Sequence, residues 1–107
     1  GAEVYLNGCH QIMWSSGIFA LCEDHGKIYC NGIDLHVLGD INFSTAFTVA
    51  DRGAIVDFTD MSYTQIAGAT TGVHYNVNTG GIIIASTART ALPGNADGVI
   101  ATGGLYF

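Results

Sequence analysis

The chain has 107 residues, enough for one hydrophobic core and too few for two. Lys and Arg number 3 against 9 Asp and Glu, a formal net charge of -6, so nucleic acid and anionic membranes are excluded as partners because both need clustered cations. A hydrophobic fraction of 49% excludes intrinsic disorder. The longest apolar runs, such as Gly81-Ile82-Ile83-Ile84-Ala85, fall far short of the roughly 20 residues of a membrane-spanning helix.

The chain opens Gly1-Ala2-Glu3, with no initiator Met and no basic region leading into an apolar stretch. It therefore reads as a fragment of a longer protein with no signal peptide. Residues 1–16 are expected to form a partial leading coil, although Val4 to Trp14 does not align convincingly with the later copies. Residues 17–98 carry a repeat, and residues 99–107 form a shortened last copy, so that 1–107 is one domain.

The repeat sets Phe19, Phe47 and Tyr75 in one column and Leu21, Val49 and Val77 in a second. Asp24, Asp51 and Thr79 then precede Gly26, Gly53 and Gly81 by two residues, and Ile28, Ile55 and Ile83 follow those glycines by two. Ile100-Ala101-Thr102-Gly103-Gly104-Leu105 echoes Val77-Asn78-Thr79-Gly80-Gly81-Ile82. Within each copy apolar and polar residues alternate, as in Ile33-Asp34-Leu35-His36-Val37, the period of two of a strand. With 15 Gly against 1 Pro, the turns call for positive φ at fixed places, and a type I turn closed by a left-handed glycine is expected between short strands. A supersecondary unit recurring every 20 to 50 residues is the signature of a solenoid. The expected fold is all-β, a parallel β-helix (β-solenoid) of about three to four coils, with the three columns stacked inward. Asp57 then falls in the inward Cys30/Ala85 column, so either the strand bends to let Phe58 in or a carboxylate is buried.

A solenoid this short has unpaired ends, which oligomerisation would cover. Trp14, Phe43, Tyr63 and Leu105-Tyr106-Phe107 are apolar residues outside the columns and are expected to supply a self-association surface. Three cysteines, Cys9, Cys22 and Cys30, cannot all pair within one chain and are read as reduced thiols.

Three stretches carry a likeness: Gly17-Ile18-x-Ala20 continuing to Gly26-x-Ile28, Thr79-Gly80-Gly81-Ile82-Ile83-Ile84, and Leu92-Pro93-Gly94-Asn95-Ala96-Asp97-Gly98. Through them the chain from Gly17 to Phe107 resembles the distal, C-terminal β-helical parts of tailed-bacteriophage tail fibres and tailspikes. The resemblance implies a homotrimer, side by side or intertwined, located in the virion tail. It implies attachment to bacterial surface polysaccharide or protein, in some members with hydrolase or lyase activity on that polysaccharide. The chain is too short to form unaided the long grooved β-helix of a tailspike enzyme.

Glycoside hydrolysis needs two acids about 5 to 5.5 Å apart for retention or roughly 6.5 to 9.5 Å apart for inversion. Asp24 and Asp51 are read as turn residues whose side chains cap the backbone. Asp57 and Asp60, three apart beside Phe58, Met61 and Tyr63, are the outside candidates for catalysis, acting with acids of a neighbouring chain; no catalytic residue is assigned. For a glycan, the flat rings of Trp14, Tyr29, Tyr63 and Tyr106 are the candidate binding platforms. Cys22-x-x-His25 with Cys30, and Cys9-His10, contain zinc-ligand types at irregular spacing, and Cys22 and Cys30 read better as small core fillers. His36 and His74 read as surface strand residues. No cofactor pattern is present, since Gly80-Gly81 and Gly103-Gly104 lack the helix that a phosphate loop requires after its glycines.

Overall fold

The structure, a computed structural model, describes residues 3–5, 10–13, 18–85 and 92–107. Every regular element among them is a short strand. β1 (Glu3–Tyr5) and β2 (His10–Met13) come first. β3 (Ala20–Cys22), β4 (Lys27–Tyr29), β5 (Asp34–Val37) and β6 (Ile41–Phe43) then trace a circuit. β7 (Thr48–Ala50), β8 (Ile55–Asp57), β9 (Ser62–Gln65) and β10 (Thr70–Gly72) retrace it. β11 (Tyr75–Val77) and β12 (Ile82–Ile84) begin it again, as do β13 (Val99–Ile100) and β14 (Leu105–Tyr106).

Each strand pairs in parallel with its counterpart on the neighbouring circuit, giving sheets ordered β1-β4-β8-β12-β14, β13-β11-β7-β3, β2-β5-β9 and β10-β6. The circuit itself supplies the long connection that parallel pairing demands, and no helix is needed. The protein is thus all-β, with parallel strands in stacked sheets, the arrangement of a β-solenoid.

The ladders correct the columns read from the repeat. Ala20, Thr48 and Tyr75 are partners, as are Leu21, Val49 and Asn76, and Cys22, Ala50 and Val77. In the five-stranded sheet Lys27, Ile55, Ile82 and Leu105 form one row, and Ile28, Val56, Ile83 and Tyr106 the next. The second of those rows faces inward: Val56 and Ile83 are fully buried, and Ile28 and Tyr106 pack on the core. Ile55 belongs to the outward row, and Leu21, expected inward, is 48% exposed. Asp57 pairs with Tyr29 and Ile84, outside the Cys30/Ala85 column. Phe58 holds that inward place without any bend of the strand, its N–H bonded to the Ile84 carbonyl.

The turn into the five-stranded sheet explains the slip. It spans Glu23 to Gly26, Asp51 to Ala54, Asn78 to Gly81 and Ala101 to Gly104, each closed by a hydrogen bond from the fourth N–H to the first carbonyl. Both central residues have positive φ: Asp24 and His25, Arg52 and Gly53, Thr79 and Gly80, Thr102 and Gly103. That is the type I′ pattern, in place of the type I turn expected. Glycine therefore recurs at two adjacent positions of one turn. Matching Gly26 to Gly53 displaces the alignment by one residue, because the counterpart of Gly26 is Ala54 and that of Gly53 is His25, whose imidazole lies where a Cβ on Gly53 would sit.

The core has an aromatic centre. Phe19 and Phe47 stack with centroids 5.1 Å apart and planes 2° from parallel, Phe43 meets Phe47 edge-on at 5.3 Å, and Phe58 lies 5.4 Å from Phe47. The expected Phe19/Phe47 pairing is therefore present. Tyr75 stands one position further along, beside Thr48, and its ring packs on Tyr106 with centroids 4.6 Å apart and planes tilted by 32°. His74 follows Phe47 instead. It is buried, not a surface residue, and its Nδ1 donates to the Leu92 carbonyl at 2.6 Å. The Thr48 hydroxyl, buried in the wall of the core, donates to the Ala20 carbonyl at 2.9 Å.

Candidate functional site

Alternation along the strands gives each sheet an outer face, and that of the five-stranded sheet is largely apolar among the described residues. Its outward rows are Lys27, Ile55, Ile82 and Leu105, and Tyr29, Asp57 and Ile84, the latter continued by Phe107 through the Ala85–Phe107 and Phe107–Ile83 hydrogen bonds. Leu105 is 48% and Phe107 61% exposed, and Ile55, Ile82 and Ile84 are half-buried. On the adjoining four-stranded sheet, outward Leu21 and Val99 are also exposed. Parallel short strands rich in isoleucine lay these side chains one above another at the strand spacing, so single apolar residues become a continuous stripe.

The sequence-derived candidates divide over this framework. Tyr29 and Asp57 are ladder partners on the outer face of the five-stranded sheet. The Asp57 carboxylate accepts from the Thr59 N–H at 2.8 Å and the Thr59 hydroxyl at 2.6 Å, which fixes the turn after β8. Asp60 is exposed in that same turn with φ 61°, on the far side of Phe58 in the chain. Tyr63 and Tyr106 pack against the core. The Tyr63 hydroxyl donates to the Gln65 side-chain oxygen at 2.5 Å, and the Tyr106 ring packs on Tyr75. Trp14 lies outside the described residues, as does Cys9. Of the residues expected to self-associate, Leu105 and Phe107 are exposed, whereas Phe43 is 1% exposed and belongs to the core.

Asp24 and Asp51 do not stand as a free acid pair. The counterpart of Asp24 in the turn ladder is Arg52, whose guanidinium binds Asp24, Glu23 and Asp51 together. The hydrogen bond from Arg52 holds the Asp24 carboxyl below its usual range, and the carboxylates in turn hold the Arg52 cation. Sequence reasoning passes over Arg52 because the repeat aligns it with His25 rather than with Asp24. The 28-residue interval that joins Asp24 to Arg52 also joins Asp34 to Ser62, whose hydroxyl donates to Asp34 at 2.8 Å.

Cys22 and Cys30 are buried thiols not in a disulfide, and burial pushes the Cys22 thiol up. Both sit in inward columns, Cys22 beside Ala50 and Cys30 beside Phe58, where a small apolar side chain fits. His25 is at the exposed turn, away from either thiol's column. Among the described residues no helix is long and apolar enough to cross a membrane. No protein-family model, curated protein or solved structure matches the chain.

Proposed function

We propose that the chain is a rigid β-solenoid segment, of about three to four coils, that works by association rather than by catalysis: a homotrimeric part of a tailed-phage tail fibre or tailspike that presents surface to a bacterial glycan or protein receptor. The observation that supports this reading is the stripe of Ile55, Ile82, Ile84, Leu105 and Phe107 on the outer face of the five-stranded sheet. A monomer with only 11% charged residues gains by covering such a stripe, and three copies related by a threefold axis cover it symmetrically. Tyr29, on the same face as the ladder partner of Asp57, is a candidate ring for a sugar. The virion location and the receptor class rest on the resemblance of Gly17 to Phe107 to fibre tips.

Light scattering across a concentration series tests the association. The expected species has about three times the chain mass, and Ile82→Lys, on the outward row, reduces it to a monomer with unchanged far-ultraviolet circular dichroism. A wild-type chain that stays monomeric at all concentrations overturns the reading. Incubation with capsular or O-antigen polysaccharide tests the absence of catalysis: release of reducing ends or unsaturated sugars, lost in Asp57→Asn with Asp60→Asn, would replace it with a hydrolase or lyase.

A further inference from the structure

The corner between β4 and β5 is Cys30-Asn31-Gly32-Ile33, and on the next circuit Phe58-Thr59-Asp60-Met61 fills the same four places between β8 and β9. Positive φ falls on the third residue of each, 67° at Gly32 and 61° at Asp60. Backbone hydrogen bonds fasten the two corners together. The Cys30 N–H donates to the Asp57 carbonyl at 2.7 Å, the Gly32 N–H to the Thr59 carbonyl at 2.9 Å, and the Ser62 N–H to the Ile33 carbonyl at 2.9 Å. Cys30 and Ile33 are fully buried, whereas Asn31 and Gly32 between them are exposed. An asparagine amide therefore stands in water beside the backbone nitrogen of a residue with no Cβ to hinder its approach. That is the arrangement from which a side-chain amide closes on the main chain most readily.

We propose that Asn31 is a site of spontaneous deamidation, gated by the hydrogen bond from the Gly32 N–H to the Thr59 carbonyl, and that isoaspartate formed there unfastens the two corners. In the first step the Gly32 nitrogen attacks Asn31 Cγ. The N–Cγ bond forms, the bond from Cγ to the amide nitrogen breaks, and ammonia leaves with the proton that Gly32 gives up. Water then opens the succinimide ring at one of its two carbonyls. Opening at the side-chain carbonyl gives aspartate; opening at the main-chain carbonyl gives isoaspartate, whose chain runs through Cβ and Cγ and is one atom longer. In the closed corner the Thr59 carbonyl engages the Gly32 proton and holds the nitrogen in its ladder position, so the attack waits until that bond opens. An exposed corner opens locally, without loss of the core. The extra main-chain atom then displaces the Gly32 N–H from Thr59, because Cys30 and Ile33 are held on either side by burial and by their own bonds to the next circuit.

The test is incubation of the full chain in mildly alkaline buffer, folded and in concentrated urea, with circular dichroism reporting the state of each sample. Cleavage after Lys27 and Arg52 releases residues 28–52, which separates Asn31 from Asn7-Gly8, the other Asn-Gly pair, outside the described residues. Mass spectrometry of that peptide measures loss of the amide, and enzymatic methylation of isoaspartyl carboxylates measures the isomer. The expected result is conversion at Asn31 in both states, slower in the folded chain by roughly tenfold, the population cost of opening one backbone hydrogen bond. Asn31→Gln, on the exposed surface, folds and abolishes the conversion. Chains carrying isoaspartate unfold at lower urea than Asn31→Asp, which adds the same charge without the extra main-chain atom. Three results overturn the proposal: no conversion at Asn31 in urea; a folded rate equal to the rate in urea, which removes the gate; or equal urea midpoints for the isoaspartyl chain and Asn31→Asp, which leaves the corners fastened.

Discussion

Truncating Phe47 to alanine tests the aromatic centre of the stack. The ring is fully buried, and among the described residues three other rings touch it: Phe19 in parallel at 5.1 Å, Phe43 edge-on at 5.3 Å and Phe58 tilted at 5.4 Å. A Phe→Ala change in a core costs about 3–5 kcal/mol, from lost transfer energy and from the cavity left behind. Aromatic pairs add roughly 0.5–1.5 kcal/mol beyond the area they bury. Backbone hydrogen bonds to both neighbouring circuits, from the Phe19 N–H to the Phe47 carbonyl and from the Phe47 N–H to the Val73 carbonyl, hold the Phe47 backbone, so the site collapses little and the loss lies at the upper end, about 4–5 kcal/mol. A domain of this size has about 5–15 kcal/mol in all, so the variant is marginal and its Tm falls by roughly 15–30 °C. Among the described residues Phe19 has Phe47 and Phe58 as ring neighbours, and it is half-buried, so its truncation costs about half as much. Urea unfolding of both variants, followed by far-ultraviolet circular dichroism at one fixed protein concentration, gives the comparison free of any association effect. A loss below about 2 kcal/mol for Phe47→Ala, or one no larger than that of Phe19→Ala, refutes the packing argument.

Three further perturbations have opposed or directional outcomes. Val56→Asp places a carboxylate in the closed core and prevents folding, whereas Leu21→Thr on the exposed outer row changes stability by no more than about 0.5 kcal/mol; equal effects in urea unfolding would reject the ladder register. Gly72→Ala costs about 2–4 kcal/mol in the same assay, because Gly72 has φ 106° and an added Cβ would lie 2.3 Å from the Phe43 carbonyl oxygen; a loss under about 1 kcal/mol contradicts it. The Asp24 carboxyl is held low in the folded state by Arg52, so its stabilising contribution is present above the unfolded value, about 3.9, and is lost as pH falls through the lower folded value. Arg52→Gln therefore flattens the acid limb of stability below about pH 4, and a circular dichroism titration that superimposes on wild type rules the clamp out as its source.

Alternation and turn glycines made the strands and their parallel stacking legible, because both are set by local sterics: a pleated strand has a period of two, and a turn with positive φ selects Gly, Asn or Asp. Register was less legible, and the corners show why. The steps from β3 to β4, β7 to β8, β11 to β12 and β13 to β14 are the same, since each is one four-residue turn. The corner between β9 and β10 is one residue longer than that between β5 and β6, while the one between β10 and β11 is two shorter than that between β6 and β7. Successive circuits therefore pair at intervals of 28, then 27, and no single interval describes both. A slip of one residue moves a whole row to the opposite face. That is how Ile55 was exchanged for Val56, and how Asp57 came to be placed where Phe58 sits.

The same slip governs what chemistry can be read from the sequence. Functional groups in a solenoid meet across circuits, so their partners lie a full interval away along the chain: Asp24 with Arg52, Asp34 with Ser62, Tyr29 with Asp57. A pattern such as Cys22-x-x-His25 looks like a ligand pair because its members are close in sequence, yet the turn sends the thiol into the core and the imidazole to the rim. Spacing within one circuit therefore carries little information about sites in this fold. The measured interval between circuits carries most of it, and it varies at the corners, where loop length is least constrained by packing.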